Sequence, residues 1–214
     1  MRHLITFILL TTTLFGDWQK GFNFRATSGY VKDGANETYV IYGDNYPTTR
    51  NGVTFGWTHP YVQTRDRNSG LDRRLAGTHY WTDETWPIDF RIDLPATGSF
   101  EIRLAFGDAS SDWPSTVQIK DTDTVLFTVS GSTVAAHFLD ATGVDRTAAA
   151  WPGSNASVTQ SFASQIFKAQ ANQNNGAFAH IFIKQAGGRR RNAVVSQNLS
   201  PRFLAELLLS RSIR

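Results

Sequence analysis

The sequence predicts an all-β chain, an antiparallel β-sandwich of the jelly-roll kind carrying a short C-terminal helix. Three observations lead there. From residue 22 onward apolar side chains recur at every second position, the period of a half-buried strand. Before residue 200 no segment shows an apolar stripe at the 3.6-residue period of a helix. Finally, about nine short strand-like runs are punctuated by turn residues, the spacing of a sandwich rather than of alternating strands and helices.

The elements follow in chain order. Residues 1–21 open with MRHLITFILLTTTLFG, where Arg2 and His3 precede an apolar run from Leu4 to Leu10. The segment reads either as a secretory signal or as an apolar arm; Leu14, Phe15 and Trp18 make a poor context for cleavage after Thr13. The sandwich is expected over residues 22–185. Its strands are FNFRA (22–26), TYVIY (38–42), GVTFGW (52–57), IDFRIDL (88–94), FEIRLAF (100–106), TVQIK (116–120), TVLFTV (124–129), SVTQSF (157–162) and AHIFIK (179–184). In IDFRIDL, Ile88, Phe90, Ile92 and Leu94 share one face, and in FEIRLAF so do Phe100, Ile102, Leu104 and Phe106. Pro95 to Gly98 between them has the length of a hairpin turn. Residues 121–123 should join TVQIK to TVLFTV in a second hairpin. Residues 186–214 begin with a Gly-Gly-Arg-Arg-Arg linker. Ser200 then suits a helix N-cap and Pro201 its first position, and Phe203, Leu204, Leu207 and Leu208 form an apolar stripe. So short a helix is marginal alone in water and should dock on something: its own sandwich, a symmetry mate or a larger assembly.

Charge narrows the function. The 214 residues carry a formal net charge of +3, but residues 184–214 hold seven Lys/Arg against one Glu, and residues 1–183 fourteen against seventeen acidic residues. The basic character belongs to the tail, and the main body has no electrostatic reason to seek nucleic acid. The absence of cysteine excludes disulfides, thiolate catalysis and Cys-based zinc sites. No apolar run reaches the 18 residues of a membrane span. The chain lacks G-x-S-x-G, H-E-x-x-H, G-x-x-x-x-G-K-[ST] and G-x-G-x-x-G, so neither a nucleophile elbow, a zinc-hydrolase helix nor a phosphate loop is present. A glycosidase needs only two carboxylates, and nothing in the pattern singles out a pair. The expectation is therefore a non-enzyme without cofactor. Loops at 33–37 (DGANE) and 107–112 (GDASSD) offer calcium-type oxygen ligands but read first as ordinary Asx turns.

Aromatic residues beside polar ones are the candidate binding groups. WTHPY places Trp57, His59 and Tyr61 on one face if extended, with Trp57 assigned to the core. HYWTDETW adds Tyr80, Trp81 and Trp86 in a polar loop. Sugars present C–H faces to flat rings and hydroxyls to Asp, Asn and Arg, so Tyr80, Trp81, Trp86, His59, Tyr61 and Arg65 form the candidate glycan site. Trp113 and Trp151, each before a proline, read as loop packing. RDRNSGLDRR (65–74) mixes four arginines with two aspartates, against a nucleic-acid patch. Arginine forks pair bidentately with carboxylates, so Arg65 or Arg67 should brace this long connection, with Asp66 as the local partner.

Taken together, FNF at 22–24, FGW at 55–57, RDR at 65–67 and RIDLPATGSF at 91–100 form a progression. It resembles the galactose-binding-like or malectin-like β-sandwich modules, in particular the non-catalytic sandwiches attached to rhamnogalacturonan acetylesterases and other polysaccharide-active proteins. It is similar also to sandwiches of phage virion proteins. The resemblance covers residues 22–184 and implies a lectin-like module that binds a polysaccharide or surface glycan. The esterase catalytic domain is absent, and GDAS at 107–110 sits at a strand end rather than serving as a nucleophile block. The unusual termini suit a second reading, a capsid decoration or fibre component held to assembly subunits through its two arms. Both readings imply a homo-oligomer displayed outside the cell or on a virion surface.

Overall fold

The computed structural model describes residues 18–27, 36–60, 62–67, 72–80, 88–153, 156–171 and 176–187. The expected N-terminal arm and C-terminal helix, with Phe203, Leu204, Leu207 and Leu208, lie outside these residues. The described chain is almost all strand: β1 Gln19–Phe24, β2 Glu37–Val40, β3 Thr48–Arg50, β4 Val53–Trp57, β5 Gln63–Asp66, β6 Gly77–Tyr80, β7 Ile88–Asp93, β8 Gly98–Asp108, β9 Trp113–Asp121, β10 Thr124–Thr133, β11 His137–Leu139, β12 Asp145–Thr147, β13 Val158–Phe162, β14 Ile166–Ala171 and β15 Ala177–Gln185. A turn of 3₁₀ helix at Trp151–Gly153 lies between β12 and β13.

Two sheets stack as a sandwich. The larger runs β12-β11-β8-β15-β1-β2, with β13 added beside β8 and the β5–β6 pair beside β15. The smaller runs β10-β9-β14-β7-β4-β3. Pairing is antiparallel except between β1 and β2, which run parallel. β1 therefore lies between a strand close behind it in sequence and β15, so that Gln19 sits opposite Lys184. Between the sheets lies a core rich in phenylalanine. Phe22 and Phe24 of β1 meet Phe55 of β4 and Phe90 of β7 edge to face, with centroids 4.9–5.7 Å apart. Such offset contacts suit the ring quadrupole, and each fully buried ring contributes about 1.5–3 kcal/mol of transfer free energy.

The expected hairpin at Pro95 to Gly98 is corrected by this arrangement. β7 belongs to the smaller sheet and β8 to the larger, so the turn is an arch that carries the chain across the core. The apolar faces of both strands still point inward, because they line opposite walls of one core: Ile88, Phe90 and Ile92 from one side, Phe100, Ile102, Leu104 and Phe106 from the other. A period-two pattern states which face is buried but not which strand is the neighbour. The second expected hairpin is observed, with β9 and β10 antiparallel through Thr122, whose φ of 56° makes the turn.

Candidate functional site

Arg65, Asp66 and Arg67, in and just after β5, are engaged in the fold. Arg65 donates from Nε to the Tyr80 hydroxyl at 2.8 Å. Asp66 accepts from Arg25 Nε at 3.1 Å, from the Ala26 amide at 3.0 Å and from the Thr27 hydroxyl at 3.0 Å; its partners come from the end of β1, not from Arg65 or Arg67. Burial pushes the Asp66 carboxyl up, but these hydrogen bonds together outweigh it and hold the group below the usual carboxylate range. Arg67 donates two hydrogen bonds to Asp108 at 2.8 and 2.9 Å and one to the Ser111 hydroxyl at 2.9 Å, which ties the end of β5 to the end of β8.

Of the six candidate glycan residues, Tyr80, His59 and Arg65 are among those described, and the structure brings Arg65 and Tyr80 together. Tyr80 is 5% exposed, with its ring 5.2 Å from that of Trp113, so its face is enclosed by protein. His59 is half-buried in the bend after β4, and Arg65 lies over the Tyr80 ring. Tyr61, Trp81 and Trp86 lie outside the described residues. Trp57 is 3% exposed in the core and donates from Nε1 to His79 Nδ1 at 2.9 Å. His79 Nε2–H in turn donates to the Arg25 carbonyl at 2.6 Å. These two bonds require the neutral ring, and burial pushes the His79 pKa down to about 4.

A cavity of about 410 Å³ opens instead on the outer face of the larger sheet, within the size range of small-ligand sites. Its floor is built by strand alternation. His180 and Phe182 of β15 point outward while Ile181 and Ile183 enter the core, and Arg103 of β8 points outward between Ile102 and Leu104. The 3₁₀ turn supplies a wall, where Trp151 donates from Nε1 to the Leu104 carbonyl at 3.3 Å and sets its ring edge-on to His180, centroids 5.6 Å apart. Arg74 lies over the Trp151 ring itself, its guanidinium carbon 4.9 Å from the centroid. Asp140, Asn36 and Gln19 complete the lining.

The cations around the cavity are matched by carboxylates. Arg74 forms a two-pronged pair with Asp72 at 2.9 and 3.0 Å, and Arg103 donates twice to Glu101 at 2.7 and 3.0 Å. Asp140 pairs with Arg146 and accepts from the Thr142 amide at 2.8 Å. Beneath them Glu37 of β2 reaches across β1 to His180 Nε2, 3.0 Å away, with both residues 1% exposed. Gly21 makes that reach possible: a Cβ there would overlap the Glu37 carboxylate. The result is a concave surface of two aromatic rings, neutralised guanidiniums and amides, suited to a ligand with both apolar faces and hydroxyls.

Comparison with known proteins adds remote structural likeness. No family model matches the chain, and no curated protein matches it. Among solved structures, a calcium-binding mutant of β-glucuronidase 2 from Bacteroides uniformis matches 79% of this chain at 12% identity with a TM-score of 0.47. The chain spans 18% of that enzyme's length. A family 35 carbohydrate binding module from Clostridium thermocellum matches 62% of this chain and 92% of its own length, at 11% identity and a TM-score of 0.33. The corresponding module from Paenibacillus barcinonensis matches 62% of this chain and 93% of its own at 9% identity, with a TM-score of 0.35.

The calcium-type loops have other employment where described. Asp108 is taken by Arg67 and the Ser110 amide, Asp112 by the Ala135 amide, and Glu37 by His180. Among the described residues no three His, Asp or Glu side chains gather as a metal site. Sequence reasoning missed the cavity because its residues come from distant segments. One local signal was present: HIFI at 180–183 puts a histidine and a phenylalanine on the face of β15 that solvent should otherwise share with charged residues.

Proposed function

We propose that the protein is a non-catalytic carbohydrate-binding β-sandwich module acting outside the cell or at a surface. The cavity carries this reading. Phe182, half-buried, offers its ring to sugar C–H groups in front of the buried Trp151, while Arg74, Arg103 and Asn36 offer donors to sugar oxygens. The neutral balance of each arginine with a carboxylate keeps the site polar without making it an ion trap. Among the described lining residues Asp140 is the one carboxylate, and Arg146 holds it, which favours holding a glycan over cleaving one.

Affinity electrophoresis through gels loaded with plant, algal and bacterial polysaccharides tests it. The expected outcome is retardation in at least one gel, reduced about tenfold or more in affinity by Phe182→Ala, since aromatic anchors dominate such contacts. Free migration in every gel would contradict the proposal, as would release of reducing ends during incubation.

A further inference from the structure

The rim of the cavity carries a charge that its interior does not. Around the cavity Arg74 pairs with Asp72, Arg103 with Glu101 and Arg146 with Asp140. Lys184 stands outside these pairs. It follows His180 and Phe182 on the outward face of β15, opposite Glu101 of β8 and opposite Gln19 of β1, which itself lines the cavity. Lys184 is half-buried, and among the described residues its ammonium has no ion pair or hydrogen bond of its own. Its nearness to Glu101 is felt electrostatically: the Arg103 hydrogen bonds hold that carboxyl below the usual carboxylate range, and the Lys184 charge adds to the effect.

Arg103 beside it is only partly engaged. Its Nε and Nη2 both donate to one Glu101 oxygen, which leaves Nη1 without a protein partner among the described residues. The side chain is 39% exposed and lies 5.6 Å from the centroid of the Phe182 ring. The carboxylates sit deeper than the cations. Asp72 and Asp140 are 6% and 1% exposed, against 18% and 33% for their partners Arg74 and Arg146, and Glu37 is closed in with His180. Arg73, exposed in the same turn as Arg74, adds a further cation. Arg73, Arg74, Arg103, Arg146 and Lys184 thus stand against Asp72, Glu101, Asp140 and Glu37, an excess of positive charge before His180 is counted. A ligand approaching this face meets N–H groups first.

The placement of the unengaged donors decides which anion fits. Lys184 lies two residues beyond Phe182, about 6.5 Å along the strand, so a group that meets it must reach outward from a sugar resting on the Phe182 ring. An ester sulfate stands one atom farther from the ring than a uronate carboxyl. Its three terminal oxygens can take donors arriving from β8, β15 and β1 together. A carboxylate, with two coplanar oxygens, is met best by a guanidinium fork, and the Nε–Nη2 edge of Arg103 is already given to Glu101.

We propose that Lys184, Arg103 Nη1 and the Gln19 amide form an anion subsite at the rim of the cavity, and that the glycan bound there carries an ester sulfate. This rests on the carbohydrate-binding reading and extends it to a substituent class.

The test is affinity electrophoresis of the full-length protein in gels containing a sulfated galactan, a sulfated fucan or dextran sulfate, each beside its unsulfated counterpart, with polygalacturonate as the carboxylate polymer. At least one sulfated polymer is expected to bind about tenfold or more tightly than its unsulfated form. Lys184→Gln should remove about tenfold of that affinity and leave binding to the unsulfated form unchanged, since one charge-assisted contact is lost, whereas Lys184→Arg should retain it. Lys120→Gln deletes the same charge from the outer face of the smaller sheet and should change neither. The inference is overturned by equal affinity within all three pairs, or by polygalacturonate binding as tightly as the sulfated polymers. It is overturned equally by sulfate-dependent binding that Lys184→Gln leaves intact, or that Lys120→Gln weakens as much, the mark of diffuse charge attraction. In each of these cases retardation by an unsulfated polysaccharide keeps the carbohydrate-binding reading. If no polymer of either kind retards the protein, both readings fall.

Discussion

Arg67 and His79 show how polar residues are held inside this sandwich, and each gives a measurable consequence. The Asp108 side chain is fully buried and receives the Arg67 fork. Arg67→Ala would leave that carboxylate without its cation, and breaking a buried pair in this way costs about 3 kcal/mol or more. Chemical denaturation of the variant should show a loss of that size. A loss below about 1 kcal/mol would mean that the Arg67–Asp108 pair is not a structural tie. His79 acts through pH. Its folded pKa, about 4, lies below the ordinary histidine value of 6.5. The unfolded chain therefore binds a proton first as pH falls. Stability from the neutral ring is complete above about pH 6.5 and is lost between there and about pH 4, by about 3 kcal/mol in total. The depressed Asp66 and Asp140 carboxyls add to the loss at still lower pH, since burial raises each but hydrogen bonds from Arg25 and Ala26, and from Thr142 and Arg146, lower each more. Denaturation curves between pH 4 and 7 should reveal the histidine portion, and His79→Gln should flatten it.

At the scale of elements, legibility depended on how far apolar and polar residues differed in size and polarity. β7 and β8 were visible because Phe, Ile and Leu alternate with charged residues. β14 was not, although it alternates as strictly: its inward residues after Phe167 are Ala169 and Ala171, weak as hydrophobic markers and poor in β-propensity. β6, Gly77–Tyr80, is buried at every position, so Thr78 and His79 gave no alternation to read. β5 is polar along its length because it lies at the margin of the larger sheet. β3 had a usable signal in Asn51-Gly52, which adopts positive φ at both residues (52° and 71°) as a two-residue hairpin requires. Gly52→Ala meets no steric obstacle but places a side chain at positive φ. It should destabilise the protein by about 1 kcal/mol without altering the rest of the fold. An unchanged melting temperature would indicate that this turn relaxes freely.

For the molecule as a whole, the two sheets share one core and β1 closes against β15, so partial unfolding of either sheet exposes the other. That closure was legible as a fold class from periodicity and turn spacing alone. The candidate site was not, because its groups converge from β2, the turn before β6, β8, the 3₁₀ turn and β15, and no single stretch of sequence contains more than two of them. The residues that sequence reasoning favoured, around Arg65 and Tyr80, share a different part of the larger sheet, beside β5 and β6. The competing locations can be separated by backbone chemical-shift mapping with an oligosaccharide cut from whichever polysaccharide retards the protein. The account predicts shifts concentrated at Arg74, Arg103, Trp151, His180 and Phe182. Shifts concentrated at Arg65, Tyr80 and their neighbours, with the outer-face cavity silent, would contradict it.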